Sequence, residues 1–378
     1  DHENIITKNI LSIIKQKSDW SIVKTTDGSD GFHHMYEWQR PGMKIWKGKF
    51  GQFVIPYDQK DNKLVPFKSN PAKAHAICGN PNVPVMYKNK PVLVGNLAEF
   101  DFSNAQIGLF SAGGKVSAEF APKAGEAGCI VIDNTSHFRY DEDIPLVVPE
   151  VNPDKIADYT NRNIIANPNC STIQMLVALN PIQEAVGIKR ISVATYQAVS
   201  GSGKEAVKEL AKQTAELLNG REAEYRVYPR QIAFNAIPHI DQFMENGYTK
   251  EEMKMNWETR KIFADDSIEL SATCVRVPVF FGHSEAVQIE TYKPISEKEV
   301  REILSEAAGI TVIDEREDGG YPTAVHESAG QDSVFVGRIR QDISLPNGLN
   351  LWVVSDNVRK GAALNSVQIA EELIKSYL

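Results

Sequence analysis

The apolar residues of this chain change their pattern near residue 90. From about residue 92, short apolar runs alternate with stretches of helical spacing, and the runs at 106–111 and 129–133 flank a helical stretch at 117–127. A strand, a Gly-rich turn, a helix and a second strand in that order predict the βαβ unit of a parallel sheet. Near the C-terminus, residues 362–377 carry apolar side chains at helical spacing, which predicts a last helix.

A second body is predicted after residue 169. It holds a strand at 190–196, a loop at 197–203 and a helix at 204–219 that Gly220 ends. Strands of alternating pattern follow at 271–279, 333–338 and 349–354. Alternation predicts sheets with one buried face rather than strands buried on both faces.

Residues 1–85 follow neither pattern. Ile6, Ile10, Ile13 and Ile14 have helical spacing and predict a short amphipathic helix. Beyond them, Gly and Lys/Asp/Asn-rich turns interrupt every apolar run, so we expect short strands in loops rather than βαβ units.

Composition narrows the class of protein. A chain of 378 residues with 42% hydrophobic and 24% charged residues is long enough for two domains, each with a large core. The net charge of −8 predicts neither a nucleic-acid partner nor a membrane partner, and no apolar run approaches the roughly 18 residues of a membrane span. The N-terminus lacks a secretory pattern, and four isolated cysteines favour a reducing compartment, so we expect a cytoplasmic protein. Since the chain opens on Asp1 rather than Met, we expect that it begins inside a longer gene product.

Cys170 is the residue with the clearest chemical context. It follows the β-branched run 164–166 and an Asn/Pro turn, and it precedes the apolar periodic run 173–179. This order predicts a strand, a tight turn and a helix whose first turn begins at the cysteine. A helix N-terminus favours the thiolate, which is the nucleophilic form. The alternative is a small buried hydrophobe, which is what Cys78, Cys129 and Cys274 are expected to be.

Several further motifs occur in one order along the chain. Together they resemble the aspartate-β-semialdehyde dehydrogenase family from about residue 90 to the C-terminus, roughly three quarters of the chain. The motifs are at 111–114, 133–139, 148–152, 167–172, 195–201, 237–241, 272–278, 282–284 and 354–363. Each motif alone is weak, but their number and order are specific.

The resemblance implies an α/β fold with two domains. A Rossmann-like nucleotide-binding domain takes residues 1–168 and 356–378, with 1–85 atypical. A catalytic and dimerisation domain, α+β with a mixed sheet, takes residues 169–355. Members of the family reduce β-aspartyl phosphate to aspartate semialdehyde with NADPH, reversibly and through a cysteine thioester. The resemblance thus implies lysine, threonine and methionine biosynthesis, with diaminopimelate on the lysine branch, phosphate as co-substrate, and a homodimer or a dimer of dimers.

The resemblance also implies four catalytic residues. Cys170 is the nucleophile, and His283 is the general acid and base, for which its ordinary pKa is suited. Gln197 and Asn169 orient the reacting groups. From the residues alone, His283 could equally be a hydrogen-bonded core histidine, Gln197 a strand-end amide and Asn169 a turn former.

Four residues are implied for the substrate. Arg276 lies mid-strand between two valines, and its guanidinium matches an α-carboxylate in two parallel hydrogen bonds; the alternative is a surface arginine. Glu251 and Lys254 lie three apart on one predicted helix face and are implied to contact the amino group and the phosphate. Arg139 is implied as a second phosphate-binding cation. The alternatives are a solvated pair for the first two and an ion pair with Asp141 or Glu142 for Arg139.

NADP is the implied cofactor, and small residues in loops after strands are its implied contacts. They are Ser111, Gly113, Gly114, Ser200, Gly201, Gly203, Asn357 and Gly361. The family's N-terminal Gly-x-x-Gly-x-x-Gly loop has no counterpart in residues 1–85. These residues are therefore a divergent cofactor half, a replacement that lacks hydride transfer, or a segment that departs from the natural sequence. The histidines of the segment lack metal-ligand spacing, and no metal is expected.

Two other functions remain open at this level. A related acyl-phosphate reductase, such as one acting on N-acetylglutamyl phosphate, shares the chemistry, although Glu251 argues for a substrate with a free amine. A non-catalytic homologue kept for dimerisation or regulation is consistent with the missing Gly loop.

Overall fold

A computed structural model describes residues 96–378 and, between residues 53 and 95, the backbone of seven short strands. These strands are β1 Phe53–Ile55, β2 Tyr57–Asp58, β3 Lys63–Leu64, β4 Ala76–Ile77, β5 Val85–Tyr87, β6 Lys90–Val92 and β7 Val94–Gly95. The predicted helix over residues 6–14, Cys78 and the histidines at 33, 34 and 75 lie outside the described residues.

The chain divides into two compact units. Unit 1 comprises 1–149, 153–167 and 363–378, and unit 2 comprises 150–152 and 168–362. The assignment of nucleotide binding and catalysis to the predicted domains stays a prediction.

The four-stranded sheet of unit 1 has the order β1-β8-β9-β10. Its strands β8 Ile107–Phe110, β9 Ile130–Asp133 and β10 Ile164–Ala166 are parallel to one another, as the sequence predicts, and every residue in them is buried. Burial of whole strands is the pattern of parallel sheets that are covered on both faces. Strand β1 pairs antiparallel with β8, which departs from the all-parallel expectation.

Among residues 96–378, two α-helices belong to unit 1. Helix α1, Gly114–Glu126, connects β8 to β9, so the predicted βαβ unit is confirmed. The C-terminal helix, Leu364–Ser376, buries Val367, Ala370 and Leu373, as its apolar spacing predicts. A 3-10 segment, Pro153–Asn161, precedes β10.

Unit 2 is built on a six-stranded mixed sheet in the order β12-β11-β13-β16-β15-β14. Its strands are β11 Ile188–Gln197, β12 Glu269–Arg276, β13 His283–Thr291, β14 Ile310–Val312, β15 Val334–Gln341 and β16 Gly348–Ser355. Pairs β11–β12 and β14–β15 are parallel, and the other three neighbouring pairs are antiparallel. The predicted α+β body with a mixed sheet is therefore confirmed.

Four helices complete unit 2. They are α2 Cys170–Val186, α3 Lys204–Leu218, α4 Lys250–Phe263 and α5 Glu297–Glu306, so the C-terminal helix is α6. Helix α3 ends before Gly220, whose φ of 69° is the left-handed conformation that favours glycine at a helix end. A π turn, Arg359–Ala363, precedes α6, so this helix begins two residues later than predicted.

Three predicted site residues lie at the same end of the three neighbouring strands β12, β11 and β13. Gln197 ends β11 and lies opposite Arg276, which ends the parallel strand β12. His283 begins the antiparallel strand β13, where Ser284 lies opposite Tyr196. Arg276 ends β12, and the connection 277–282 leads directly to His283, although β11 lies between these two strands in the sheet. Across the described residues, no helix is long and apolar enough to cross a membrane.

Candidate active site

The nucleophile candidate lies at the start of α2, as predicted. Asn169 is the N-cap, and its side-chain oxygen accepts from the amides of Ser171 and Thr172 at 3.0 and 3.3 Å. Such a cap satisfies two of the amides that a helix start leaves without partners. Cys170 itself is 8% exposed, so its thiol lies at the base of the site and not on an open surface.

Gly361 packs directly against Cys170. A Cβ atom at Gly361 would lie 2.8 Å from the Cβ of Cys170, closer than two carbon atoms can approach. The close approach explains a glycine in the π turn 359–363 without any ligand. Its predicted contact with the cofactor stays a prediction.

Three predicted site residues form one buried hydrogen-bonded cluster beside the nucleophile. The Glu251 carboxylate accepts from Asn169 Nδ2 at 3.0 Å and from Gln197 Nε2 at 3.2 Å. Gln197 Nε2 also lies 3.0 Å from Ser171 Oγ and 3.3 Å from Thr195 Oγ1.

Glu251 and Lys254 form a mostly buried ion pair. Lys254 Nζ lies 2.9 Å from Glu251 and 2.7 Å from Asp241, and the side chains of Glu251 and Lys254 are only 7% and 12% exposed. Burial alone would raise the pKa of Glu251, but the Lys254 ammonium and the Asn169 amide outweigh burial and hold this pKa well below its ordinary value. Burial lowers the pKa of Lys254, but the carboxylates of Glu251 and Asp241 outweigh burial and raise this pKa above its ordinary value. The solvated-pair alternative is therefore wrong.

We predict that Lys254→Met lowers the free energy of unfolding by about 3–5 kcal/mol, because it leaves the buried Glu251 carboxylate without its cation. Folding lowers the pKa of Glu251, so the contribution of this carboxylate to the stability of the fold is lost in acid. Folding raises the pKa of Lys254, so the contribution of this ammonium group is lost in strong base. The difference from wild type should then stay constant from about pH 6 to about pH 9 and shrink in acid. Urea unfolding followed by circular dichroism measures it.

Lys250, exposed in the first turn of the same helix, is the matched control. Lys250→Met should change the free energy of unfolding by less than about 0.5 kcal/mol. Equal effects of the two substitutions would contradict a buried pair at Lys254.

Arg276 and His283 converge on Gly201. A Cβ at Gly201 would lie 2.7 Å from Arg276 Nη1 and 3.2 Å from His283 Nε2, so both side chains border the space beside this glycine. Arg276 is 4% exposed, which rules out the surface-arginine alternative, and its Nη1 donates to the Ala198 carbonyl at 2.7 Å. His283 is fully buried, and its Nδ1 accepts from the Ala198 amide at 3.0 Å. Because Nδ1 accepts, the neutral ring carries its proton on Nε2, the nitrogen nearest Gly201.

Ser200 and Asn357 contact each other. Asn357 Nδ2 donates to Ser200 Oγ at 3.0 Å, and its Oδ1 accepts from the amide of Gly282 at 3.0 Å. Both side chains are fully buried. They fix the residue that precedes His283, and their predicted contacts with the cofactor stay predictions. Gly203, the N-cap of α3, has a φ of 92°, a conformation that requires glycine there.

Two buried acids of this site escape the sequence analysis. Glu258 accepts from the backbone amide of Asn169 at 2.6 Å, and Glu285 lies two residues after His283 with no exposed surface. Glu258 follows Glu251 by seven residues, which is about two helical turns. Its position on the same helix face as Glu251 is the feature of the sequence from which its place in the site could have been predicted. For Glu285 the corresponding feature is the alternation of side chains along a strand, which places residues 283 and 285 on the same face of β13.

Unit 1 contains the remaining predicted residues. Ser111 follows β8 and is fully buried, with its hydroxyl unpartnered among the described residues. Gly113, with φ of 114°, is the N-cap of α1, and Gly114 begins this helix. Arg139 is 7% exposed and donates to the carbonyls of Asn134 and Thr135, both at 3.2 Å. Its role in binding phosphate stays a prediction.

The other described cysteines have inert surroundings. Cys129 and Cys274 are fully buried, and burial raises the pKa of the Cys129 thiol to about 12 and that of Cys274 well above its ordinary value. Among residues 96–378, no group of His, Cys, Asp and Glu side chains could hold a metal ion.

Comparison with known proteins identifies the family. The models "Semialdehyde dehydrogenase, NAD binding domain" and "Semialdehyde dehydrogenase, dimerisation domain" match residues 66–159 and 179–360. A curated aspartate-semialdehyde dehydrogenase of Shewanella violacea is 65% identical over 334 residues, 87% of this chain and 96% of the relative. One from Legionella pneumophila is 62% identical over 294 residues, 78% of this chain and 85% of the relative. The chain belongs to the aspartate-semialdehyde dehydrogenase family.

Solved structures of the family agree with this fold. Aspartate semialdehyde dehydrogenase II of Vibrio cholerae complexed with ASA superposes with a TM-score of 0.78 at 59% identity, over 81% of this chain and 90% of that chain. The Candida albicans aspartate semialdehyde dehydrogenase with NADP gives a TM-score of 0.60 at 25% identity, over 78% of this chain and 84% of that chain.

Membership confirms several predictions made from the sequence. The chain is an oxidoreductase of the aspartate-semialdehyde dehydrogenase family, with an α/β fold that includes the family's NAD binding and dimerisation domains. Neither N-acetylglutamyl-phosphate reduction nor a non-catalytic role is favoured. The match also reaches further toward the N-terminus than the motifs indicate, since the NAD binding model begins at residue 66.

Proposed function

We propose that this chain reduces β-aspartyl phosphate to aspartate semialdehyde and phosphate, reversibly, through a thioester on Cys170. The observation that carries the proposal is the cluster of Asn169, Gln197 and Glu251 beside that cysteine, which provides an orienting amide and a buried anion next to a nucleophile. The pathway is lysine, threonine and methionine biosynthesis.

In the oxidative direction, the Cys170 sulfur forms a bond to the aldehyde carbon, and the aldehyde oxygen takes a proton to give a thiohemiacetal. NADP, when bound, supplies the hydride acceptor that turns this adduct into a thioester. A phosphate oxygen then attacks the thioester carbonyl, the carbon–sulfur bond breaks, and Cys170 leaves as a thiolate. Covalent attachment divides a difficult acyl transfer into two easier steps.

His283 is the proposed acid and base. Its Nδ1 is held by the Ala198 amide, so Nε2 is the ring nitrogen that faces the substrate oxygen. The proton that this oxygen gains is the one that the Cys170 thiol loses, and it is released when the thioester forms. Gln197 and Asn169 orient the adduct, Gln197 from the end of β11 and Asn169 from the cap of α2.

Each charged group of the substrate is proposed to bind a side chain of opposite charge. Arg276 binds the α-carboxylate, Glu251 the α-ammonium, and Lys254 with Arg139 the phosphate. A buried carboxylate at Glu251 favours a charged amine over the neutral N-acetyl group of the alternative reductase.

NADP fits the residues of each unit considered separately. In unit 1, the positive φ of Gly113 admits a tight turn before α1, and the unpartnered Ser111 hydroxyl is a buried donor for a polar ligand. In unit 2, Ser200, Gly201, Gly203, Asn357 and Gly361 are the proposed contacts.

The domain assignment and the assembly are part of the proposal. Residues 1–168 and 356–378 form the nucleotide-binding domain, and 169–355 form the catalytic and dimerisation domain. Two copies assemble through that domain into a homodimer, alone or within a dimer of dimers, in the cytoplasm. The dimerisation model over 179–360 supports this assembly.

The test is phosphate-dependent formation of NADPH from aspartate semialdehyde. We expect turnover only when phosphate, NADP⁺ and the semialdehyde are all present, and we expect N-acetylglutamate semialdehyde to be a poor substrate. Absence of NADPH from protein that is folded and of correct mass would refute the proposal, and preference for the N-acetylated substrate would reassign it.

A further inference from the structure

Glu285 is a buried acid for which the proposed reaction has no use. It lies on β13 opposite Thr195 of β11 and has no exposed surface. A carboxylate in such a position normally has a cation or several hydrogen-bond donors as partners.

The surroundings of Glu285 do not supply these partners. Neither carboxyl oxygen completes a hydrogen bond of ordinary geometry with a described residue. Burial raises the pKa of Glu285 well above its ordinary value, and the uncharged donors of Gln174 and Ser171 oppose this rise only in part. Thr195, directly opposite in the register, is also uncharged.

The hydrogen bonds of Gln174 and Ser171 show which of their donors and acceptors are already used. Gln174 Nε2 donates to the His283 carbonyl at 3.5 Å, and Gln174 Oε1 is buried without a donor among the described residues. Ser171 Oγ accepts from Gln197 Nε2, so its own proton is available to Glu285. Three buried acceptor atoms, two on Glu285 and one on Gln174, therefore lack a hydrogen bond among the described residues, and the donors beside them are the Ser171 hydroxyl and the second N–H of Gln174.

One proton on Glu285 removes this deficit. A neutral carboxylic acid accepts from the Ser171 hydroxyl with one oxygen and donates to Gln174 Oε1 with the other. The hydrogen bonds then run in one direction from Gln197 through Ser171, Glu285 and Gln174 to the carbonyl of His283.

We propose that Glu285 is a positioning residue which, as a neutral carboxylic acid, connects the orienting amide Gln197 to the strand that carries the acid–base residue His283. Because Glu285 has no exposed surface, we expect it to contact neither substrate nor cofactor. It acts through Ser171 and Gln174, and its effect on turnover rests on the proposed function.

The decisive comparison is between Glu285→Gln and Glu285→Leu. The glutamine amide can accept from Ser171 and donate to Gln174 as the neutral acid does, so E285Q should keep kcat within about threefold of wild type. Leucine fills the space without hydrogen bonds, so E285L should lower kcat by about 10- to 100-fold with little change in KM, since the orienting amide loses its support.

Val287→Ala is the matched control, because Val287 is buried on the same face of β13 and has no polar group. It should reduce stability without lowering kcat. Equal losses in E285Q and E285L would overturn the proposal, because the acid itself would then be required. Wild-type activity in folded E285L would overturn it as well.

Infrared spectroscopy tests the protonation without any activity measurement. The difference spectrum of wild type minus E285Q at neutral pH should contain the carbonyl band of a protonated carboxyl group, and carboxylate bands in its place would overturn the proposal. This readout decides the matter if E285L does not fold. It also separates failure of this inference from failure of the proposed reaction.

Discussion

Cys170→Ser will lower kcat for phosphate-dependent oxidation of aspartate semialdehyde by about 10⁴-fold or more. A serine hydroxyl at the start of α2 is a far weaker nucleophile than a thiolate, and a described thiol elsewhere cannot replace it, because Cys129 and Cys274 are fully buried. Serine is close in size, and Asn169 still caps the helix through the amides of Ser171 and Thr172, so the variant should remain folded. Initial rates of NADPH formation measure the loss.

Cys129→Ala and Cys274→Ala are the controls for this prediction. Both remove a buried thiol away from the helix start, so both should keep kcat near wild type while lowering thermal stability modestly. Stoichiometric alkylation should inactivate wild type and label the peptide that contains residue 170. Appreciable turnover by folded Cys170→Ser would refute the nucleophile assignment.

The start of α2 could be predicted because its determinants are local. An asparagine cap, a proline before it and an apolar periodic run after it lie within about a dozen residues, and the structure begins the helix at Cys170 as expected. The same holds for α4, where Thr249 and Glu252 form a capping box and bring Glu251 and Lys254 onto one face.

The order of the strands that brings Gln197, Arg276 and His283 together could not be predicted in this way. Arg276 and His283 are seven residues apart, but β11, about eighty residues earlier in the chain, lies between their strands. Strand order depends on which apolar faces pack together in three dimensions, and the spacing of residues along the chain does not record it. Family resemblance supplied the roles of these residues without supplying this geometry.

Burial also changed the interpretation of individual side chains. Ser200 and Asn357 were predicted as cofactor contacts, and the structure shows that they also bind each other and hold the amide of Gly282. Glu258 and Glu285 are charged residue types that are usually exposed to solvent, but both are fully buried here. A sequence pattern gives the face of an element, but the partner that covers this face decides whether an acid is solvated, paired or neutral.

Arg276→Leu will lower kcat/KM for aspartate semialdehyde by about 10²- to 10³-fold, mainly through a higher KM. Arg276 is 4% exposed and one of its nitrogens is engaged with the Ala198 carbonyl, so the guanidinium is fixed in place for a planar anion. Its Nε is buried and unpartnered among the described residues, which leaves a donor for the substrate carboxylate. Steady-state kinetics with varied semialdehyde concentration separate KM from kcat.

The substrate itself provides the sharpest control for Arg276. In 3-aminopropanal the α-carboxylate is absent, so the wild-type guanidinium has no anion to bind, and the ratio of wild-type to variant kcat/KM should fall to about one or below. Arg190→Leu, at the exposed opposite end of the β11–β12 pair, should leave both substrates unaffected. If Arg276→Leu lost activity equally toward both aldehydes, the arginine would serve to hold Ala198 and His283 in place, and the carboxylate-binding role would have to be assigned to another residue.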